Sequence, residues 1–400
     1  MAYENKYVKT VKAADHKIWE KVQPRLLALD IELTERCNNN CMHCCINLPE
    51  HDESARSKEL STDDLKKILK EAASLGCLEV RLTGGEPLLR PDFAELYTFI
   101  RRLGIKVLLF TNATLIDETF VRLFKKYPPG QLIEVTVYGM TKRSYEAVSR
   151  VKGSYKKAFR GINLLLENEI PFVVKSAILP QNKEDIPAFE AWARTIPWMT
   201  GSPQYSMFFE LRNRQDSGQK NGLIAKVRAT PDEGIKFLTR DPEAFRQDMQ
   251  NFIAKIAPPP GDKLFICGAG QKGGTIDAYG QFQVCMLVRH PDTLYDLKSG
   301  TLLDALDNFF PKVLAAKVTN SEYLQKCAKC FLKDLCEQCP GKAWTEHGTL
   351  DTPVSYLCEI THKQARYLGI LGEDEWSWQV ENWQKRIKEF TSQKDATDEP

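Results

Sequence analysis

The chain has 400 residues, of which 42% are hydrophobic, so it can bury a sizeable core and form more than one domain. Its 55 basic and 53 acidic residues nearly cancel, and no stretch has the length of a membrane span, so we expect neither a nucleic-acid nor a membrane partner. Residues 1–21 lack the apolar region of a signal peptide, which predicts a cytoplasmic protein whose twelve cysteines stay reduced and serve as metal ligands.

From residue 26 to residue 209, short apolar runs alternate with amphipathic stretches of helical length. This pattern predicts repeated strand–helix units around a parallel sheet, either open or closing toward a barrel. The predicted strands are Leu26–Leu33, Leu78–Leu82, Lys106–Thr111, Leu132–Tyr138, Pro171–Ile178 and Gln204–Phe209. The predicted helices are Thr62–Leu75, Asp92–Arg102, Asp117–Lys126, Tyr155–Asn168 and Asp185–Thr195. In such folds the active site lies at the carboxyl ends of the strands.

Three cysteines, Cys37, Cys41 and Cys44, lie on the loop that leaves the first predicted strand. Thiolates select zinc, copper(I) or iron–sulfur iron, and three ligands on a four-iron cluster leave one iron open. A zinc knuckle is the alternative, although the next thiol outside the run, Cys77, stands alone in an apolar context. Cys45 adjoins Cys44, and neighbouring residues do not easily bind one compact cluster, so we interpret Cys45 as a packed thiol. The loop predicts redox chemistry.

Further unusual residues follow the other predicted strands. Gly84, Gly85 and Glu86 follow the second strand, where two glycines would let the backbone approach a ligand closely and Glu86 would help to hold an ammonium group. The alternative is a tight turn that opens the next helix at Pro87. The residues at or after the ends of the third to sixth strands are Asn112, Tyr138, Ser176 and Glu210. Their convergence at one edge favours a functional site.

A domain boundary is indicated by a polar break at residues 215–219 and by a proline-rich spacer at residues 258–261, and helices are predicted between them around Pro231–Ile256. A second set of cysteines follows this boundary. Cys267 and Cys285 flank a predicted hairpin with Gly280 at its turn. The other thiols are Cys327, Cys330, Cys336, Cys339 and Cys358. Seven thiols suffice for one complete cluster and one with three cysteines, whereas two zinc ribbons need an eighth ligand, which His347 could supply. The segment after the last cysteine reads as a charged helix, and residues 391–400 read as a disordered tail.

Together these motifs resemble the radical S-adenosylmethionine (SAM) superfamily, and specifically its branch with a C-terminal SPASM domain. The three-cysteine loop looks like the family's cluster motif, with His43 in the position of an aromatic residue beside the adenine, and Gly84 to Glu86 looks like its amino-group motif. The seven later cysteines are similar to the SPASM pattern, with one departure: two residues separate Cys336 from Cys339, where the family usually has three. The resemblance implies an α/β fold, a partial (β/α)6 TIM-like barrel with a C-terminal cysteine-rich SPASM domain.

The domains that the resemblance implies are an N-terminal extension (1–25), a radical SAM core (26–215), a bridging helical segment and linker (216–262), a SPASM domain (263–360) and a C-terminal helix and tail (361–400). It further implies that SAM and a [4Fe-4S] cluster bind at the first loop and that two auxiliary [4Fe-4S] clusters bind in the SPASM domain. The outer auxiliary ligands would be Cys327, Cys330, Cys336 and Cys358. The inner ligands would be Cys267, Cys285 and Cys339, and Gly261 stands where a fourth cysteine is usual, so this cluster is either open to substrate or closed by a non-cysteine ligand. Further SAM contacts are expected from Asn112, Tyr138, Arg150 and Ser176.

The implied activity is that of a radical SAM oxidoreductase or maturase. Reductive cleavage of SAM yields a 5′-deoxyadenosyl radical, which abstracts hydrogen from the substrate. The segment from Tyr138 to Ser154 looks more like peptide maturases than haem-pathway members, so the leading hypothesis is cross-linking or oxidation of a ribosomally made peptide or of a protein. Sulfatase maturation is disfavoured because Met286 follows Cys285 where that group has Asp. Two further hypotheses are a small-molecule or tetrapyrrole biosynthesis enzyme and a pure electron-transfer protein.

The catalytic base is not identified by the pattern, and the candidates are Tyr138, Asp277, Glu210 and Cys45. We expect a peptide or protein substrate and an electron donor such as ferredoxin or flavodoxin. Because only Met1–Arg25 precedes the first strand, recognition of a leader peptide is expected to use a separate protein or another surface.

Overall fold

A computed structural model describes residues 25–392. Apart from Arg25, the predicted N-terminal extension lies outside the described residues, as does the tail from residue 393 onward. The strands are β1 (Ala28–Thr34), β2 (Arg36–Cys37), β3 (Leu48–Pro49), β4 (Glu79–Gly84), β5 (Lys106–Thr111), β6 (Gly130–Thr136), β7 (Phe172–Ala177), β8 (Gln204–Ser206), β9 (Gly273–Ile276), β10 (Gln281–Gln283) and β11 (Tyr295–Asp296).

The first ten helices are α1 (Glu53–Lys58), α2 (Thr62–Ser74), α3 (Phe93–Arg102), α4 (Glu118–Lys126), α5 (Lys142–Ser149), α6 (Ser154–Glu167), α7 (Ile186–Ala193), α8 (Gly218–Val227), α9 (Pro231–Leu238) and α10 (Pro242–Ile253). The others are α11 (Leu302–Asp304), α12 (Phe310–Leu314), α13 (Ser321–Gln325), α14 (Pro340–His347), α15 (Ser355–Tyr367) and α16 (Trp383–Ser392). None of the helices within residues 25–392 has the length and apolar character needed to cross a bilayer.

Six parallel strands form the centre of the fold in the order β1-β4-β5-β6-β7-β8, and these are the six strands that the sequence pattern predicts. Their buried positions carry branched residues such as Ile31, Val80, Val107 and Val135, which suit a sheet covered by helices. A helix follows most strands: α2, α3, α4, α6 and α7 correspond to the five predicted helices. This architecture confirms the predicted α/β fold with a partial barrel.

The predicted hairpin is present, but it belongs to the same sheet as the barrel. β9 pairs in parallel with β1 from Ala28 to Ile31, and β10 and β11 follow as antiparallel strands. Gly280 lies in the turn between β9 and β10 with a φ of +93°, a conformation that favours glycine. The cysteine-rich part is therefore joined to the first barrel strand by backbone hydrogen bonds.

The bridging segment consists of three short helices, α8, α9 and α10. The helical material expected around Pro231–Ile256 is divided because Asp241 caps a new helix and Pro242 occupies its first turn. Phe245 and Ile253 of α10 pack with Phe331, next to the outer thiols, and with Phe390 of α16. Thr391 and Ser392, which were expected in a disordered tail, end α16 instead.

Candidate active site

The loop that carries Cys37, Cys41 and Cys44 lies at the carboxyl end of β1. β2 and β3 pair at its base, through Arg36 with Leu48 and Cys37 with Pro49. Its middle is tied to the end of α5, because the Asn40 amide donates to the Ser149 carbonyl at 2.9 Å. The three thiols interact electrostatically with one another, and all three are free cysteines. The backbone thus gathers them into one group.

Polar groups from other strands point at these thiols. Tyr138, just beyond β6, donates its hydroxyl to Cys41 Sγ. Asn112, just beyond β5, places Nδ2 at 3.8 Å from Cys37 Sγ, and the Asn39 amide donates to the same sulfur at 3.4 Å. Burial raises the pKa of the Cys41 thiol to about 12, and the Tyr138 hydroxyl opposes that rise. Metal ligation would remove the protons from the thiols, and these donors then stabilise the thiolates.

No three His, Cys, Asp or Glu side chains within residues 25–392 are placed so that they would hold a single metal ion.

Gly84 and Gly85 lie where the ends of β1 and β4 meet. A Cβ at Gly84 would overlap the Thr34 carbonyl, and one at Gly85 would overlap the Arg36 carbonyl. The Gly85 amide donates to Thr34 O at 2.6 Å, and the Glu86 amide donates to Arg36 O at 2.9 Å. The glycines are therefore required because the ends of β1 and β4 cross at backbone contact, and this contact sets the position of the three-cysteine loop.

The Glu86 carboxylate forms hydrogen bonds with neighbouring residues of the same chain. Its side chain is fully buried and accepts hydrogen bonds from the Thr111 hydroxyl at 2.8 Å, the Asn112 amide at 2.8 Å and the Leu88 amide at 3.2 Å. Burial raises the pKa of Glu86 to about 7, while these donors oppose the rise. With both carboxyl oxygens engaged, Glu86 joins the ends of β4 and β5 and positions Asn112.

Several buried polar atoms near the loop have no hydrogen-bond partner among the described residues. They are Asn39 Oδ1 and Nδ2, His43 Nδ1 and Tyr145 Oη. Burial and, to a smaller extent, the charges of Cys41 and Cys37 raise the pKa of the Tyr145 hydroxyl. The His43 ring packs against Tyr138 and Phe209, with 5.5 and 4.7 Å between ring centroids. Burial lowers the pKa of His43 to about 4, so its ring is neutral at pH 7. Unpartnered donors and acceptors beside a thiol group fit a site for a polar cofactor.

Ser176 and Arg150 are the two other expected SAM contacts. Ser176 on β7 donates its hydroxyl to the Val137 carbonyl at 2.6 Å and so serves the sheet. Arg150 is exposed and ends α5 in a left-handed conformation with a φ of +56°. The structure therefore brings Asn112 and Tyr138 to the thiols of the loop, and His43, on the loop itself, packs against Tyr138.

The later cysteines lie in two groups. Cys285 interacts electrostatically with Cys339 and Cys267, and Cys267 is exposed. The amides of Gly341 and Lys342 donate to Cys339 Sγ at the start of α14, where helix N-termini favour a negative charge. The glycine in place of a fourth cysteine, Gly261, is exposed.

The outer group is more enclosed. A small cavity is lined by the thiols of Cys327, Cys330, Cys336 and Cys358. The side chain of Lys333 lines the same cavity, is only 6% exposed and donates to the Gln338 carbonyl. Four thiols with one buried cation suit a cluster whose thiolates carry net negative charge.

A buried network of charges, which the sequence pattern does not indicate, links β1 to the cysteine-rich part. Arg289 donates to Glu32 on β1 and, at 2.9 Å, to Glu35 beyond it. Arg214 donates to Glu35 at 2.7 Å and to Asp277 at 2.8 Å. Burial raises the pKa of Glu32, and the charge of Arg289 offsets only part of that rise. The network sits beside the first loop and holds the segment after Cys285 against the barrel.

Of the base candidates, Asp277 belongs to this network, and Glu210 and Cys45 lie outside it. Asp277 accepts the Tyr279 and Gln281 amides, each at 2.9 Å, in addition to Arg214, so it shapes the hairpin turn. Glu210 is half-buried and forms an ion pair with Lys342 at 3.3 Å. Burial raises the pKa of Cys45 well above its ordinary value, and the charge of Cys44 adds to this rise. Tyr138 is the remaining candidate, and its hydroxyl is engaged with Cys41.

A six-stranded parallel sheet with a three-thiol loop at the end of β1 is the arrangement of a radical SAM domain. The family model of the Radical SAM superfamily matches residues 31–193, and this confirms the resemblance drawn from the motifs over that range.

Three curated relatives show how far the similarity extends. AdoMet-dependent heme synthase of Methanosarcina barkeri is 31% identical over 46% of this chain and 50% of its own length. PqqA peptide cyclase of Gluconobacter oxydans is 30% identical over 42% of this chain and 46% of its own length. The subtilosin biosynthesis protein AlbA of Bacillus subtilis is 23% identical over 78% of this chain and 68% of its own length. The chain thus spans about half the length of the first two.

Two solved structures share the fold. Streptococcus suis SuiB bound to its precursor peptide SuiA has a TM-score of 0.60 at 17% identity and covers 82% of this chain and 74% of SuiB. The anSMEcpe protein with bound AdoMet has a TM-score of 0.59 at 16% identity and covers 86% of this chain and 97% of that protein. Both coverages reach beyond the barrel, so the likeness includes part of the cysteine-rich region.

Proposed function

We propose that this protein is an enzyme that reductively cleaves SAM and uses the product to modify a peptide or protein by cross-linking or oxidation. The observation that carries the proposal is the group of Cys37, Cys41 and Cys44 with hydrogen-bond donors on its sulfurs and unpartnered polar atoms beside it. A reduced four-iron cluster on these thiols supplies the electron that breaks the carbon–sulfur bond of SAM.

The residues of the chain hold and shield this chemistry. Tyr138 and Asn112 stabilise the thiolates, and the crossing of β1 and β4 at Gly85 holds the loop rigidly. His43 is neutral and packed between aromatic rings, which suits contact with an adenine ring. The unpartnered Tyr145 hydroxyl and the unpartnered side-chain carboxamide of Asn39 offer hydrogen bonds to the polar parts of SAM.

The substrate class rests on the relatives. The name of PqqA peptide cyclase refers to a peptide, and the structure of SuiB contains its precursor peptide SuiA. The name of AlbA refers to the biosynthesis of the bacteriocin subtilosin. We further propose that the outer and inner cysteine groups bind two auxiliary [4Fe-4S] clusters, that a ferredoxin- or flavodoxin-like donor supplies electrons in the cytoplasm, and that a separate protein or another surface recognises any leader peptide.

A tetrapyrrole substrate is the second candidate, because AdoMet-dependent heme synthase is 31% identical to this chain. Neighbouring reading frames discriminate between the two. A short cysteine- or aromatic-rich precursor beside this gene supports the peptide, and purified precursor then gives a mass change with the enzyme. A tetrapyrrole gene in that place, with turnover of an iron porphyrin and none of peptide, would refute it.

The activity itself is tested on protein reconstituted with iron and sulfide, by counting iron and measuring 5′-deoxyadenosine formed from SAM under dithionite. We expect about twelve irons per chain for three four-iron clusters. Cys41→Ala should lose cleavage, and Cys330→Ala should retain some cleavage but lose modified product. Cys77→Ala is the matched control, because Cys77 is buried in the apolar core away from the three groups, and it should keep both. Full turnover by Cys41→Ala would contradict the proposal.

A further inference from the structure

The chain beyond the last cysteine returns to the outer thiol group. α15 carries Cys358 and, one turn later, His362, and after the helix a short turn at Ser377–Gln379 lies against the same group. Ser377 and His362 are each only 1% exposed. Neither residue belongs to the cysteine pattern, and Ser377 lies outside residues 263–360, the region that the cysteine pattern assigns to the SPASM domain.

Hydrogen bonds connect two of the thiols through these side chains. Ser377 Oγ lies 2.9 Å from Cys330 Sγ and 3.0 Å from His362 Nε2. The Ser377 amide lies 3.3 Å from the same Nε2, and His362 Nδ1 lies 2.8 Å from the Cys358 carbonyl and 3.5 Å from Cys358 Sγ.

The donors and acceptors in this series of contacts follow from the number of protons that each group carries. A backbone amide only donates, so Nε2 of His362 is an acceptor and the ring proton is on Nδ1, which donates to the Cys358 carbonyl. The Ser377 hydroxyl therefore has two acceptors within reach, Nε2 of His362 at 3.0 Å and Cys330 Sγ at 2.9 Å, and the Ser377 amide competes with it for the single lone pair of Nε2. A thiolate that binds iron carries negative charge and only accepts, so a cluster on Cys330 favours donation from the hydroxyl to that sulfur.

We propose that Ser377 donates a hydrogen bond to the Cys330 ligand of the outer auxiliary cluster and raises the reduction potential of that cluster, with His362 as the residue that positions Ser377. The inference rests on the proposed function, because it needs the outer cluster to exist. A reduced cluster places more negative charge on its sulfurs, so a hydroxyl aimed at one of them stabilises the reduced state more than the oxidised state.

The surroundings keep this hydroxyl in place. Trp376 and Trp378, on either side of Ser377, stack at 4.9 Å between ring centroids and pack on His362 at 5.0 and 5.3 Å. Ser377 is buried between them while Trp376 is 41% exposed. The turn thus directs the Ser377 side chain inward, onto a sulfur and an imidazole, and the aromatic rings on either side shield that contact from water.

The test is the midpoint potential of the outer cluster, measured by titration with dithionite under electron paramagnetic resonance. The full chain carries Cys37→Ala, Cys41→Ala and Cys44→Ala so that only auxiliary clusters contribute, and the outer signal is the one lost with Cys330→Ala. Ser377→Ala should lower its potential by at least the equivalent of a tenfold change in the oxidised-to-reduced ratio, about 59 mV for a one-electron couple. Ser377→Thr, which keeps the hydroxyl, should stay near the parent.

Thr361→Val is the matched control. Thr361 is a buried hydroxyl residue that lines the same cavity, but it donates to the Leu357 carbonyl at 3.0 Å and not to a thiol, so its loss should leave the potential unchanged. An unchanged potential in Ser377→Ala, or an equal shift in Thr361→Val, would overturn the role of Ser377 while leaving the proposed function standing. If no iron–sulfur signal depends on Cys330, the outer cluster itself is refuted, and the inference falls with it.

Discussion

Replacing Arg289 by Met tests whether the buried charge network holds the cysteine-rich part on the barrel. Arg289 is 4% exposed, and its guanidinium is the one hydrogen-bond partner that the described part of the chain provides for the Glu32 carboxylate, itself 3% exposed. Met fills a similar volume without charge. The variant therefore leaves Glu32 buried without a partner, which is the costly way to break a buried ion pair.

The loss in the free energy of unfolding is limited by the free energy needed to protonate Glu32, because the protonated side chain is neutral and can stay buried without Arg289. Binding a proton at pH 7 by a carboxyl with an ordinary pKa of 4.5 costs about 1.4 kcal/mol for each pH unit, or about 3 kcal/mol in all. This is a ceiling, because burial already raises the pKa of Glu32 in the parent. We expect a loss of about 2–3 kcal/mol at pH 7. The loss should shrink toward 1 kcal/mol near pH 5, since less work is then needed to protonate the carboxyl.

The assay is urea unfolding of the cofactor-free protein at pH 7 and pH 5, followed by tryptophan fluorescence. Arg289→Met with Glu32→Gln should recover part of the stability because no charge is then stranded. Arg56→Met is the control, because Arg56 pairs with Glu53 at 3.4 Å with both side chains more than half exposed, and should change stability by about 0.5 kcal/mol or less. A penalty that is absent at pH 7, or equal at both pH values, would refute the reasoning.

Two further predictions concern the site itself. In the cofactor-free protein the pKa of Glu86 is raised to about 7, so this group should make stability fall as pH rises from 4.5 to 7. The pKa of His43 is lowered to about 4, so this group should make stability fall as pH drops from 6.5 to 4. The two pH dependences oppose each other in the parent. Urea unfolding across this range should therefore show stability that falls with rising pH in His43→Phe and stability that increases with rising pH in Glu86→Gln. Parallel profiles in the two variants would contradict the assignment. Gly85→Ala should cost about 3 kcal/mol or more, because its methyl group would overlap the Arg36 carbonyl between two fixed strand ends, whereas Gly201→Ala, in open space, should be near neutral. Equal melting temperatures for these two variants would show that the strand crossing is not tight.

Much of the barrel was predictable because its signals are local. Branched apolar runs predict the six strands, and the amphipathic periodicity and capping residues predict the helices between them. The three-cysteine loop is likewise recognisable from spacing alone, since its ligands lie within eight residues of one another. These features depend on neighbours along the chain, so the sequence displays them directly.

Other features depend on residues that meet only after the chain has folded. Nothing in the hairpin indicates that β9 pairs in parallel with β1. Nothing in the motif Gly84 to Glu86 indicates that its backbone comes into contact with Thr34 and Arg36. The acidic Glu32 within an apolar strand was a signal that a partner had to exist, but that partner lies 257 residues away.

The sequence by itself determined the class of fold and the thiols available for metal binding, because both are expressed in short-range periodicity and spacing. Only the tertiary structure decided which groups surround those thiols. Ser377 reaches Cys330 across 47 residues, and Tyr138 reaches Cys41 from a different strand. Hydrogen bonds and ion pairs act over a few ångströms of space and are indifferent to separation along the chain, so they follow from the packing of the whole molecule.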